Sequence, residues 1–246
     1  MYFGLSLLLK YMKFHLCIFF MTLGLFMGSA QQSNEEDINR YLEDQFYIGI
    51  GINFLTERPE NVVQNSLSYN LQLGFIKDIP INRNRNFGLG FGLGYATNSY
   101  YSNIRADNSS GEIVYSLLST DDFKRNKLET HAIEVPLELR WRTSTATEYR
   151  FWRIYGGLRF AYVFAGSSRL VLEPDNSLGL TDDVIRFSNN DIRDFQYGLT
   201  LSFGYNTFNI HCYYSLNPLL NDGVVLNNGE SIDTRVFRIG IIFYIL

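Results

Sequence analysis

The chain contains little cysteine, histidine or proline. Its 246 residues include 2 Cys, 3 His and 5 Pro. Cys17 lies in the apolar leader without a small-residue lipobox before it, which argues against a lipoprotein anchor. Cys212 would then be the single cysteine of the mature chain, and one cysteine cannot form an internal disulfide. The cysteines therefore predict no disulfide framework.

Charged residues are also scarce, at 19% of the chain, and the formal net charge is −4. The first thirty residues carry two lysines and no acidic residue, so the remainder has 19 basic against 25 acidic residues, a net charge of −6. No basic footprint for a nucleic acid is present. The charge balance therefore argues against a nucleic-acid partner.

Long apolar runs are confined to the N-terminus. A basic segment, an apolar core and a small-residue site follow one another there: Lys10 with Lys13, His15–Met27 and Gly28-Ser29-Ala30. This order predicts a cleaved signal peptide over 1–30, and an uncleaved membrane anchor is the alternative. The stretch from Met12 would make a complete signal peptide alone, so either Met1 or Met12 can be the true start.

The rest of the chain shows one style of sequence and no Pro- or Ser-rich linker. Residues 46–246 are therefore predicted to form one domain. The segment 31–45 carries five acidic residues against Arg40. We expect it to be a short periplasmic tail.

Aromatic residues and glycine are abundant, and they alternate with a period of two. Aromatics make up 16% of the chain, with 17 Tyr and 20 Phe. One segment alternates four glycines, Gly88 to Gly94, with Phe87, Leu89, Phe91 and Leu93. Eight such segments occur: 46–55, 67–75, 87–95, 133–141, 152–162, 195–203, 208–214 and 237–245. Their lengths are near the roughly nine to eleven residues that a tilted strand needs to cross a bilayer.

This pattern predicts an all-β protein, an eight-stranded antiparallel up-and-down transmembrane β-barrel in the outer membrane. Long outer connections alternate with short inner turns, as in outer-membrane barrels. The predicted outer loops are Thr56–Ser66, Asn98–Thr130, Ser167–Arg193 and Asn217–Thr234. The predicted inner turns are Lys77–Asn86, Thr143–Arg150 and Asn206-Thr207. Trp141 and Trp152 flank one inner turn, where interfacial aromatic residues are expected.

A soluble up-and-down barrel with its apolar face inward is the alternative fold. The less apolar faces of the first, second, third and sixth segments carry no charge, whereas a water-exposed surface normally carries many Lys and Glu. Small neutral residues suit the narrow interior of an eight-stranded barrel. The pattern therefore favours the transmembrane barrel.

Charged residues within the segments fall on the predicted inward faces of three strands: Glu134, Glu138, Arg140, Arg153, Arg159 and Arg238. We interpret them as a structural ion network, because charges in a narrow lumen must be paired or hydrated. In particular, Glu138 is expected near Arg159. A gated or selective pore is the alternative interpretation. Pro136, which lacks an N–H group, is expected to cause a bulge or a locally broken ladder.

Residues suited to catalysis or metal binding are few. His211 and Ser215 share one strand face but lie one pleat beyond contact, and His131 has no serine two residues on. A lipid-modifying enzyme is therefore an alternative, and the prediction is that the chain is not an enzyme. Acidic pairs such as Asp121-Asp122 and Asp182-Asp183 could bind Ca²⁺, as could Asp222 with Glu230 and Asp233. Without a recognised Ca²⁺-site spacing they are interpreted as solvated loop charge, so no cofactor or metal is predicted.

The pattern as a whole resembles the PorT-type outer-membrane β-barrel family. The resemblance rests on Phe46–Leu55, the Gly88 to Gly94 strand, Phe123–Arg142 with its sequence IEVPLELRWR, and the aromatic-glycine strand Phe151–Phe164. It implies an integral outer-membrane protein, and some members of the family are associated with type IX protein secretion. The chain departs from the usual barrel assembly signal because it ends in Ile-Leu rather than in an aromatic residue.

Three hypotheses for function follow. The first is a non-catalytic accessory or structural barrel in an envelope assembly such as type IX secretion. The second is a surface-binding or adhesive barrel that acts through its long outer loops. The third is a small-solute pore. The expected partners are outer-membrane lipid and envelope or secretion-system proteins. The sequence specifies neither a particular partner nor an oligomeric state.

Overall fold

A computed structural model describes residues 45–245, except 65, 83–85, 110, 120, 144–151, 175, 177 and 179–183. The predicted signal peptide over 1–30 lies outside the described residues, as do almost all of the predicted tail over 31–45 and of the inner turn over 143–150. Within the described part of the chain, no helix has the length and apolar character to cross a membrane.

The described residues form eleven strands. They are β1 Gln45–Thr56, β2 Tyr69–Pro80, β3 Phe87–Tyr101, β4 Ile104–Asp107, β5 Val114–Leu117, β6 Phe123–Arg142, β7 Trp152–Leu172, β8 Val184–Ser188, β9 Phe195–Tyr205, β10 Phe208–Ser215 and β11 Arg235–Ile245.

Eight of these strands close into an antiparallel barrel. The order is β1-β2-β3-β6-β7-β9-β10-β11. β11 pairs back onto β1 from Phe46, opposite Ile245, to Thr56, opposite Arg235, which closes the barrel. Seven of the predicted segments lie entirely within a barrel strand, and the second, 67–75, begins two residues before β2 at Tyr69. The predicted eight-stranded antiparallel up-and-down barrel is therefore confirmed.

Side chains alternate across the barrel wall as predicted. Ile50, Leu93 and Leu201 point outward and are 54%, 60% and 55% exposed. Glu138 and Arg159 point into the lumen and are buried. An outer apolar surface surrounds a polar interior, which is the arrangement of a barrel in lipid. The predicted direction of each face is confirmed.

Several strands extend further than their apolar alternation indicated. β2 continues through Pro80, so the inner connection is shorter than the predicted turn Lys77–Asn86. β3 continues to Tyr101, β6 begins at Phe123 and β7 continues to Leu172. These extensions shorten the predicted loops Asn98–Thr130 and Ser167–Arg193. Alternation of apolar and small residues fades there because the outward positions become polar, while backbone pairing continues.

Pro136 interrupts pairing on one side only. Against β7 the register runs through Pro136 opposite Arg159 without a shift. Against β3 the ladder passes from Phe91–Leu137 to Gly94–Glu134, so the two residues of β3 that face Pro136 and its neighbour are unpaired. The expected local break is thus confirmed on the β3 side, where the missing N–H would have served the ladder. The register shifts against β7 lie at Phe123/Arg125 and His131/Ala132, so the disruption at Pro136 is a broken ladder rather than a bulge.

The outer end of the barrel carries a second layer of structure, which we call the cap. It consists of the β4–β5 hairpin, β8 with the segment after it to residue 194, and residues 216–234. β8 pairs with the upper part of β7, and isolated bridges join Tyr115 to Leu226 and Ile192 to Leu220. A buried apolar cluster fills the space between the cap and the barrel rim; its members include Leu55, Tyr100, Tyr115, Ile192, Leu220, Leu226 and Val236.

Candidate functional site

The barrel lumen is filled with charged side chains. Eight of them are at most 3% exposed: Asp78, Glu134, Glu138, Arg140, Arg142, Arg153, Arg159 and Arg238. All six residues of the predicted ion network are in this group. The alternation of β2, β6, β7 and β11 directs each of them inward, because residues of equal parity share one face of a strand.

Arg159 and Arg238 converge on Glu134 in the middle of the lumen. Arg159 Nη1 lies 3.1 Å from Glu134 Oε2 and also hydrogen-bonds Gln72. Arg238 Nη1 lies 4.0 Å from Glu134 Oε1. The Arg238 side chain also donates to Asn53 Oδ1 at 2.9 Å and to Asn98 Oδ1 at 2.7 Å. One carboxylate thus links β6, β7 and β11.

Glu138 pairs with a different arginine from the one predicted. Its Oε2 lies 3.2 Å from Nε of Arg140, two residues along the same face of β6. Arg159 instead forms its ion pair with Glu134, so Glu138 and Arg159 lie near each other in the strand register, as expected, without a direct ion pair. The reason is geometric: in the β6–β7 register Arg159 lies opposite Pro136, between the two glutamates, and it turns toward the outer one.

A second charged layer lies nearer the inner end. Asp78 of β2 forms an ion pair with Arg142, and its Oδ2 also lies 4.0 Å from Nη1 of Arg140. The guanidinium of Arg140 stacks 4.2 Å above the ring of Tyr155, an arrangement that stabilises a buried cation. Arg153 is buried in the same layer, opposite Arg142 in the strand register.

Sequence reasoning missed Asp78 and Arg142 as members of this layer. Asp78 falls within the predicted inner turn Lys77–Asn86, yet the outward series Phe75, Lys77 and Ile79 continues the alternation of β2. That continuation was the signal available in the sequence. Arg142 lies two residues after Arg140 and therefore points into the lumen like Glu138 and Arg140.

The two tryptophans lie on the outward face at the inner ends of β6 and β7. Trp141 is 37% and Trp152 48% exposed. Trp152 stacks on Phe203 with ring centroids 5.3 Å apart and contacts Tyr205 at 5.2 Å. This places both indoles at one level of the barrel wall.

The candidate catalytic residues do not form an accessible site. His211 lies in the lumen, where its Nδ1 is 2.9 Å from Ser202 Oγ, and both residues are buried. Ser215 donates to the carbonyl oxygen of Asn217 at 2.5 Å instead. His131 lies on the outer wall, with Nδ1 2.6 Å from Tyr95 Oη. The Ser202–His211 contact is sealed from both lipid and water.

The cap is held by buried polar contacts as well as by its apolar cluster. Tyr115 Oη donates to Asn189 Oδ1 at 3.1 Å, and Asn189 Nδ2 donates to Ser168 Oγ at 2.8 Å. Burial raises the pKa of the Tyr115 hydroxyl above its usual range, so it remains a neutral donor. Asn126 Nδ2 donates to the carbonyl oxygens of Ser102 and Ile104 at 2.9 and 2.6 Å, which ties β6 to the start of β4.

Among the described residues, the acidic loop side chains suited to Ca²⁺ do not converge. Asp222 binds Arg193 at 2.5 Å, while Glu230 accepts a hydrogen bond from the backbone N–H of Glu60. Asp182-Asp183 lies outside the described residues. Within the described ranges no three His, Cys, Asp or Glu side chains come together.

Known proteins resemble the chain at the level of the barrel. Residues 29–221 match a family described as Outer membrane protein beta-barrel domain. No curated protein matches the chain. Among solved structures, the attachment invasion locus protein Ail of Yersinia pestis, in complex with the heparin analogue sucrose octasulfate, is 13% identical, covers 82% of this chain and 97% of its own, and has a TM-score of 0.34. A mutant porin of Rh. blastica is 10% identical over 83% of this chain and 100% of its own, with a TM-score of 0.15.

Proposed function

Because this chain belongs to the outer membrane protein β-barrel domain family, we propose that it is a non-conducting outer-membrane barrel that binds ligands through its cap. The observation that carries the proposal is the combination of a filled lumen and an ordered cap. The lumen is occupied by eight buried charged side chains, and the cap rests on a contiguous apolar cluster. Such a molecule offers a rigid surface to the cell exterior rather than a path through the membrane.

The filled lumen argues against a small-solute pore. Side chains of an eight-stranded barrel nearly fill its interior, and here arginines from β6, β7 and β11 meet carboxylates at the centre. Opening a path would break ion pairs such as Arg159–Glu134 in a medium of low dielectric constant, which is costly. A pore of this size would also have to displace the cap.

The cap has the features of a binding surface that is ordered before a ligand binds. Loops that bind are usually held by a rigid scaffold. Here Asn189, Ser168 and Tyr115 form a buried hydrogen-bonded group, and Leu226 bridges to the β4–β5 hairpin. An interaction surface that is ordered before binding loses less conformational entropy when it binds. We infer that the cap is the functional part and that the protein is not an enzyme.

An accessory role in protein secretion is the second candidate. It is favoured by the resemblance to PorT-type barrels and is compatible with a filled lumen, since an accessory barrel needs a docking surface rather than a channel. In that case the cap or the inner turns would contact envelope proteins. The two candidates differ in what is lost when the gene is deleted.

The test compares three strains: one with the native chain, one without it, and one in which residues 104–117 are replaced by a Gly-Ser linker of equal length. The binding function predicts that the native strain adheres to some member of a panel of immobilised glycans and matrix proteins, and that the other two do not. Heat-modifiable migration of the replaced variant on gels checks that its barrel still folds. Unchanged adherence together with loss of secreted proteins in the deletion strain would replace surface binding by the secretion role.

A further inference from the structure

The outer wall of the barrel carries a group of basic side chains above the apolar band. We define the basic patch as Arg125, Lys127, Arg169 and Arg186. In the strand register Lys127 of β6 lies opposite Arg169 of β7, and Arg169 lies opposite Arg186 of β8. Three cations thus form a lateral row across three strands, and Arg125 lies two residues from Lys127 on the same face.

A row of like charges on paired strands is unfavourable by itself, because directly opposite like charges repel. Lys127 is matched by Glu129, with Nζ 3.0 Å from Oε2. Within the described part of the chain, Arg125, Arg169 and Arg186 have no carboxylate within ion-pair distance. The chain as a whole is acidic, with a net charge of −4, so the patch does not follow from composition. An anionic ligand would remove the repulsion.

The surface around the patch is concave on both sides. A groove of about 340 Å³ lies beside Arg186 and is also lined by His131, Ser167 and Ser188. A smaller hollow of about 70 Å³ lies on the other side, between Tyr101, Arg125, Lys127 and Arg169. Guanidinium groups with nearby hydroxyls suit a phosphate, since arginine donates two parallel hydrogen bonds to its oxygens.

The position of the basic patch along the bilayer normal indicates which molecule would supply a phosphate group. The outward rings of Tyr95, His131 and Phe164 cluster with centroids 6.1 to 6.4 Å apart, and below them the wall is apolar. Lys127 lies four residues above His131 on β6, about 13 Å along the strand. With a strand tilt of roughly 40° this is about 10 Å along the bilayer normal. The patch therefore lies at the level of the lipid headgroups.

The direction of the side chains supports the same source. They project from the side of the wall, continuous with the lipid-facing positions Ile133 and Tyr162 on the same strands. A soluble polyanion would approach the cap from above, whereas a lipid headgroup reaches this face laterally. We propose that the basic patch binds the phosphate groups of an anionic lipid in the outer leaflet, with Arg169 and Arg186 as principal contacts. The lipid site includes Arg186 of the cap strand β8, but it lies outside residues 104–117, whose replacement tests ligand binding by the cap, so the two proposals can fail independently.

The experiment titrates detergent-solubilised full-length protein with lipid A that carries both phosphates and measures bound lipid by native mass spectrometry. We expect the double variant Arg169→Gln with Arg186→Gln to raise the apparent Kd about tenfold or more, since it removes two charge-assisted contacts. The control is Arg58→Glu in the first outer loop, which changes the net charge by the same amount and should leave the Kd within about twofold. Heat-modifiable migration confirms that both variants fold.

Three further arms separate the sources of the anion. Lipid A without phosphates should bind the native protein as weakly as the bisphosphorylated form binds the double variant. Inorganic phosphate at equal concentration should compete poorly, because it lacks the acyl chains that lie against the apolar wall. Equal binding of the two lipid A forms, or an equal Kd for the double variant and the native chain, would overturn the site. Loss of binding to a sulfated polysaccharide, with lipid A binding intact, would assign the patch to a soluble polyanion instead.

Discussion

Arg159 of β7 and Glu134 of β6 form an ion pair between adjacent strands inside the lumen, with Nη1 3.1 Å from Oε2 and side chains 1% and 4% exposed. Removal of one partner leaves a buried charge unmatched. We expect Glu134→Gln and Arg159→Gln each to lower the free energy of unfolding by about 3–5 kcal/mol. The double variant should lose less than the sum of the two. Urea unfolding of protein refolded into detergent or vesicles measures all three.

A partly exposed pair on the same strand provides the control. Glu129 pairs with Lys127 on the outer wall, where the side chains are 20% and 13% exposed. Solvent screens this pair more than the luminal one, so Glu129→Gln should cost less than either luminal change. Additive losses for Glu134→Gln and Arg159→Gln would show that the two side chains act independently.

Two adjacent glycines of β7 test the packing of the wall. A Cβ added at Gly157 would lie 2.8 Å from Cα of Glu138 in the neighbouring strand. This is a clash with backbone, which a change of side-chain rotamer cannot remove. A Cβ at Gly156 would lie 3.6 Å from Leu201 Cδ1, an ordinary contact. Gly157→Ala should therefore destabilise by about 1–3 kcal/mol or prevent assembly, whereas Gly156→Ala should be nearly neutral. Equal effects in the same unfolding assay would contradict the inward direction of Gly157.

The depth of the outward residues predicts how they tolerate charge. Leu201 lies mid-strand on the outward face of β9 and is 55% exposed. Leu201→Arg should cost roughly 2–4 kcal/mol in a bilayer. Phe208 faces outward beside the inner turn Asn206-Thr207, and Phe208→Arg should cost about 0–1 kcal/mol from the bilayer itself. Refolding into vesicles measures both, and full tolerance of Arg at Leu201 would reverse the assignment of the faces.

The two ends of the barrel should differ in access from outside the cell. In a Cys212→Ala background, a single cysteine at Ser109 between β4 and β5 should react with a membrane-impermeant maleimide on intact cells. A cysteine at Thr207, in the turn between β9 and β10, should react only after the outer membrane is opened. The reverse pattern would invert the topology.

The fold was predictable to a large extent because barrel strands obey a strict period of two. Gly92 and Leu93 could be assigned to opposite faces from their neighbours alone, and the structure agrees. Pro136 was expected to break a ladder because it lacks an N–H, and it does so against β3. The bounds of β6 and β7 were less predictable, because polar outward residues such as Lys127 and Arg169 are also typical of loops.

The contacts within the site were less accessible to sequence reasoning. Parity places Glu134, Glu138 and Arg159 in the lumen, but the choice of partner depends on the register of two strands. The register of β6 against β7 cannot be read from the sequence alone. The cap was missed for a related reason: Tyr115, Asn189 and Leu226 belong to three separate connections, and each connection alone has no periodic pattern. Their packing exists only once the barrel brings these connections together.

The central claim is that a filled lumen makes this barrel a surface-presenting protein rather than a channel. Conductance of the purified native protein in planar lipid bilayers tests it most directly, with a known porin as the positive control for insertion and detection. We predict no stable conductance steps above those of the bare bilayer at any applied voltage that the membrane withstands. Regular ohmic steps that scale with salt concentration and with the amount of inserted protein would contradict the account.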